Sequence, residues 1–244
     1  MNLKAASVTA ILLACTVVTV PLAAQHDHHG DSTQMVGAAD AAMSGEMSAA
    51  ARKHVELSPM RTATRDDSVK ARAVIGELRR SLAKYRDTSA AVADGYQMFA
   101  PKVKAQRIYH FTNYRNAFME AFRFDPEKPT SILYQQRPDG SLALVGAMYT
   151  MPKRASAEKL DERVPLSIAR WHKHVNWCVP RPRQRHRWFE QQDGHSIFGP
   201  ESPIATRAEC DEVGGLFFAS PMGWMVHANV FAGDELGAVF THER

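Results

Sequence analysis

The sequence predicts an α+β fold: one long N-terminal helix followed by a mostly antiparallel sheet with short helices. Three observations carry that expectation. Val69, Val74, Ile75, Leu78, Leu82 and Tyr85 recur at three- and four-residue steps between Lys, Arg and Asp, the period of an amphipathic helix. After Pro101 the texture becomes β-rich, as in Ile108-Tyr109-His110-Phe111. Two apolar runs, 131–135 and 142–151, flank the turn Pro138-Asp139-Gly140, which marks a hairpin.

Residues 1–24 read as a secretory signal. Lys4 supplies a short positive region, an uncharged apolar run follows to Ala24, and Leu22-Ala23-Ala24 ends it with small residues. Pro21 and the switch to Gln25-His26-Asp27-His28-His29 argue against a continuing membrane helix, so cleavage is expected after Ala24. Leu12-Leu13-Ala14-Cys15 offers a second reading, a lipoprotein box acylated at Cys15. The expected location is periplasmic or secreted, with no membrane span after signal removal. Cleavage takes one of the 30 basic side chains and none of the 26 acidic ones, which leaves a net charge of +3. So mild an excess does not call for nucleic acid as a partner. It also leaves Cys178 and Cys210, and an oxidising compartment favours a disulfide between them.

Residues 25–62, rich in Ala, Ser, Gly, Met and His, are expected to form a disordered tether, because they bury too little apolar surface to offset their ordering entropy. Residues 63–244 are then a single α+β domain. Its helix is expected over 64–94, with Asp66 and Asp67 in the first turn and Gly95 as its stop. Ser156 is placed to cap a short charged helix that runs to residue 163. Thr206 and Glu209 form a capping box, and Gly214-Gly215 would end that helix. Runs 216–219 and 224–231 are expected to pair around Pro221-Met222-Gly223.

Five segments occur in a recognisable order: Ala93-Asp94-Gly95-Tyr96, Tyr109-His110-Phe111-Thr112-Asn113, Phe124-Asp125-Pro126-Glu127-Lys128-Pro129, Ile132-Leu133-Tyr134 and Leu144-Val145-Gly146-Ala147-Met148-Tyr149. This pattern resembles a family of secreted bacterial proteins of unknown function. The resemblance spans residues 93–150 and implies export and a single domain. It implies no activity.

Function must therefore be argued from side chains, and the 11 histidines lead. His172-Lys173-His174 on a strand would put both rings on one face, since side chains alternate with period two. His227 and His110, on other apolar strands, could complete a site for one transition-metal ion. Copper and zinc stand ahead of iron. Residues 164–178 can equally be read as a helix, on which His172 and His174 diverge and His174 faces Cys178. In the tether, His26, His28 and His29 could capture metal, and Met35, Met43, Met47 and Met60 are soft ligands that favour copper(I).

Arg181, Arg183, Arg185 and Arg187 alternate, and in an extended strand they would form an anion-binding stripe. No Gly-x-Ser-x-Gly, His-Glu-x-x-His, Cys-x-x-Cys or Gly-rich phosphate loop is present, so no catalytic residue is assigned. Two functions follow. The first is an exported protein with a His-based metal site, as a metalloenzyme or a copper- or zinc-handling protein. The alternative is a metal-free envelope protein that binds an anionic small molecule through the arginine stripe or an aromatic pocket. The sequence leaves the oligomeric state open.

Overall fold

The computed structural model describes residues 52–101, 106, 108–231 and 233–240. The expected signal, Cys15, most of the expected tether and His26, His28 and His29 lie outside the described residues. The strands in chain order are β1 (Val55–Leu57), β2 (Gln97–Met98), β3 (Ile108–Thr112), β4 (Ser131–Gln136), β5 (Leu142–Met151), β6 (His172–His174), β7 (Trp177–Val179), β8 (Gln191–Gln192), β9 (His195–Ser196), β10 (Leu216–Phe218) and β11 (Trp224–Ala228). Seven form one antiparallel sheet in the order β1-β6-β11-β5-β4-β3-β2. β10 pairs with β7, and β8 with β9, as separate ribbons.

The helices are α1 (Arg65–Leu82), α2 (Thr88–Ala93), α3 (Tyr114–Glu120), α4 (Ala157–Asp161), α5 (Arg207–Glu212) and α6 (Leu236–Val239). They correct the expected fold class of one long N-terminal helix followed by a sheet. The protein is α+β with a seven-stranded antiparallel sheet, but its first strand precedes α1, and the helical stretch over 64–94 is broken. After α1 come a 3-10 turn, Ala83–Arg86, and then the six residues of α2. Tertiary contacts account for the break. Tyr85 is buried at φ −95°, ψ 20°, and its carbonyl oxygen accepts a 2.7 Å bond from the Tyr134 hydroxyl. Asp87 then starts a new helix by accepting from the Ser89 amide at 2.8 Å.

The tether boundary at 62 also moves. β1 pairs with β6, and the buried His54 ring reaches the carbonyl oxygens of Ser202 (2.7 Å) and Val175 (3.2 Å). Arg61 makes a two-pronged ion pair with Asp67, at 2.7 Å on each side, and a second pair with Asp161 at 2.8 Å. These bonds, with the Thr64 capping box, hold the Asp67 carboxyl well below the usual carboxylate range and clamp the start of α1 to α4.

β4 and β5 pair as the turn signal implies. A bulge lies between Leu133 and Tyr134 in their register, so that Leu144 and Ala147 both join the cluster that contains α1. That cluster also takes Tyr109, Phe111, Ile132, Tyr134, Tyr149 and Trp224 from the sheet, and Ala71, Val74, Leu78 and Leu82 from α1. Segments 216–219 and 224–231 do not pair with each other. β10 joins β7 and β11 inserts between β5 and β6. Ser156 precedes α4 without a side-chain capping bond, whereas Thr206 and Glu209 form the full capping box on α5.

A satellite core surrounds the disulfide between Cys178 and Cys210, which are buried with Phe198. Gly215 lies against both sulfurs, and a Cβ there would collide with them. The bridge spans 32 residues, so chain entropy predicts a loss of about 3–4 kcal/mol of unfolding free energy when Cys178 and Cys210 are both replaced by Ala. Denaturant unfolding of the oxidised parent against this variant measures it. A difference below about 1 kcal/mol would contradict the role given to the bridge.

Candidate functional site

β6 settles the choice between strand and helix for the His-x-His segment: His172 and His174 lie on a strand and are 1% and 8% exposed. The local sequence allowed a helix. The strand forms because β6 is flanked by β1 and β11, with Leu57 and Met225 both opposite His172. Asn176 then turns the chain at φ 57°, a conformation asparagine tolerates.

The sheet brings the four candidate histidines into one row. The rings of His172 and His227 stack with centroids 5.0 Å apart and planes at 22°. His172 and His174 meet edge to face at 5.7 Å, and His110 and His227 at 5.8 Å. The last contact is informative. β3 and β11 are separated by two intervening strands, so side chains standing upright on a flat sheet would be about 14 Å apart. The face must curl inward and the two rings lean over Leu133 and Met148, which lie beneath them in register. Burial pushes the His110 pKa down to about 4, so its ring is neutral at pH 7. Trp177 packs against His174 at 5.1 Å.

The floor of this face is Leu133, Met148 and Met225, with Ile108, Val145 and Met222 against them. Met148 stands opposite His227, and Met225 opposite His172. Sequence reasoning missed these methionines. A thioether in an apolar strand reads as core, and only the register shows which imidazole it faces.

Among the described residues, no group of three or more His, Cys, Asp or Glu side chains is placed to hold a metal ion. The imidazoles meet as pairs along a row, not as a converged triad. The arginine stripe is not an extended strand either. Pro182–Phe189 is a 3-10 helix, which turns residues spaced by two to different sides. Arg181 donates to the Gly214 carbonyl at 3.2 Å. Arg187 bonds Glu190 and the Val213 carbonyl, and lies over the Phe198 ring at 5.0 Å. Arg183 and Arg185 are exposed.

Another titratable group escaped the sequence reading. Glu120 ends α3 at the wall of an open cleft of about 1280 Å³, which Tyr96, Asn116, Lys84 and Arg123 also line. It is 2% exposed. Its Oε2 accepts from the Thr130 hydroxyl (2.6 Å), the Thr150 amide (2.7 Å) and the Thr150 hydroxyl (3.0 Å). Burial raises its pKa to about 7 against those hydrogen bonds and the attraction of Arg163.

No family model, curated protein or solved structure matches the chain.

Glu120 generates a pH prediction. An exposed glutamate titrates near 4.5, so the folded state holds the proton more tightly than the unfolded one. The contribution of Glu120 to stability is then full below pH 4.5 and falls by roughly 3 kcal/mol as pH rises through about 7. Glu120→Gln should flatten that slope in denaturant unfolding between pH 4.5 and 8. A parent and variant with the same slope would exclude the assignment.

Proposed function

We propose that the chain is an exported protein that binds one transition-metal ion at the histidine row, centred on His172 and His227. The observation that carries this reading is the 5.0 Å spacing of those two buried rings. Metal–nitrogen bonds of ~2.0–2.1 Å put each ring centre ~3.2 Å from a shared ion, and so ~5.2 Å from the other ring at a tetrahedral angle; because ring nitrogens bind in the ring plane, the two rings, stacked with planes at 22°, turn about their side-chain bonds to bring one nitrogen each onto the ion. His174 and His110 flank the pair at 5.7 and 5.8 Å, close enough to enter the coordination by side-chain rotation. The disulfide and the signal-like N-terminus fit an oxidising compartment outside the cytoplasm.

Of the two metal functions, handling of copper or zinc suits this site better than catalysis. His172, His174 and His227 are all less than one-tenth exposed, which leaves little room for a substrate at the ion. The competing anion-binding reading drew on the arginine stripe or an aromatic pocket, and in the stripe Arg181 and Arg187 are engaged with the Gly214 and Val213 carbonyls and with Glu190.

Metal analysis of the mature chain tests the proposal, with His26→Ala, His28→Ala and His29→Ala removing capture by the tether. One equivalent of copper or zinc is expected, falling below about 0.1 equivalent in His172→Ala and His227→Ala variants whose far-UV circular dichroism matches the parent. Parent protein that stays metal-free in excess copper and zinc would end this reading.

A further inference from the structure

We infer that the ion is copper(I), and that Met148 and Met225 supply thioether sulfur to the His172–His227 pair. This rests on the metal reading above and goes beyond it by naming the ion and two new ligands. Three observations carry it.

The first is register. Met225 is the cross-strand partner of His172 and lies two residues from His227 on the same strand. Met148 is the partner of His227 on the other side. Directly opposed residues of an antiparallel pair share a face, with Cβ atoms about 4.5–5.5 Å apart. Met225 therefore stands beside both rings and Met148 beside that of His227, and both are nearly buried, at 6% and 8% exposure.

The second is the chemistry of the donor set. Two imidazoles and two thioethers are all neutral, and the thioethers are soft. Thioether selects copper(I), whereas zinc sites use thiolate, imidazole and carboxylate. A pair of imidazoles completed by sulfur also needs no third His, Cys, Asp or Glu, in keeping with the described residues.

The third is the surroundings. Leu133, Ile108, Val145 and Met222 make the floor apolar. A single positive charge is far less costly to desolvate in such a place than a double one.

The test uses the mature chain with His26→Ala, His28→Ala and His29→Ala, and with Met35→Leu, Met43→Leu, Met47→Leu and Met60→Leu. Copper(I) is titrated under anaerobic conditions against a chromophoric copper(I) chelator, zinc against a zinc dye, and the copper-loaded protein is examined by X-ray absorption. We expect sulfur as well as nitrogen scattering from copper in the parent. Met148→Leu and Met225→Leu, which nearly conserve volume, should each weaken copper(I) by at least about tenfold and leave zinc within about twofold. A nitrogen-only copper spectrum, or Met variants that bind copper(I) like the parent, would overturn the inference while the histidine site stands. A parent that binds neither ion would overturn both. Because the parent spectrum alone decides for or against sulfur, a variant that fails to fold does not block the result.

Discussion

Along β11, Trp224, Val226 and Ala228 join the cluster that contains α1, while Met225 and His227 turn to the opposite face. Antiparallel pairing of β11 with β5 and β6 sets that division, and the rest of the architecture depends on it. A slip of one residue would drive His227 into the aromatic core and expose Trp224 on the other side. The large apolar surface on the α1 side therefore holds the imidazoles in place, although none of that surface touches them. The bulge in the β4–β5 register serves the same end, since it lets β5 keep both Leu144 and Ala147 in the core while Met148 stays beneath His227.

Two buried carboxyls show how environment decides charge in this fold. Asp67 accepts from the Arg61 guanidinium and the Thr64 amide, so its ionised form is favoured. Glu120 lies deeper and receives hydrogen bonds only from neutral groups, the Thr130 and Thr150 hydroxyls and an amide, and desolvation prevails. The first clamps the start of α1 to α4. The second makes the junction of α3 with the sheet sensitive to pH.

Much of the local structure was legible because its cause is local. The Thr206 capping box needs only four residues, and the β4–β5 hairpin needs a turn between two apolar runs. Pairing of Cys178 with Cys210 followed from there being only two cysteines after residue 24. What the sequence hid depends on distant contacts. The helix over 64–94 breaks because Tyr134, far along the chain, binds the Tyr85 carbonyl. His172-Lys173-His174 could be read as strand or helix until β1 and β11 were placed on either side of it. The alternation of Arg181 to Arg187 suggested an extended strand, but Pro182 opens a 3-10 helix there. Met148 and Met225 passed as core residues, since nothing nearby in sequence tells which histidines they oppose. The four-histidine row itself was anticipated by residue type, yet its order, His110 to His227 to His172 to His174, comes from the sheet alone.

The account stands on His172 and His227 sharing one ion on a preformed sheet face. Nitrogen-detected NMR of the imidazole rings during a zinc or copper(I) titration tests this most directly. The account predicts that the ring nitrogens of His172 and His227 shift together and saturate at one equivalent, while the backbone amides of β5 and β11 keep their pairing. Ring signals of these two residues that stay unmoved, with shifts confined to His26, His28 and His29, would contradict it.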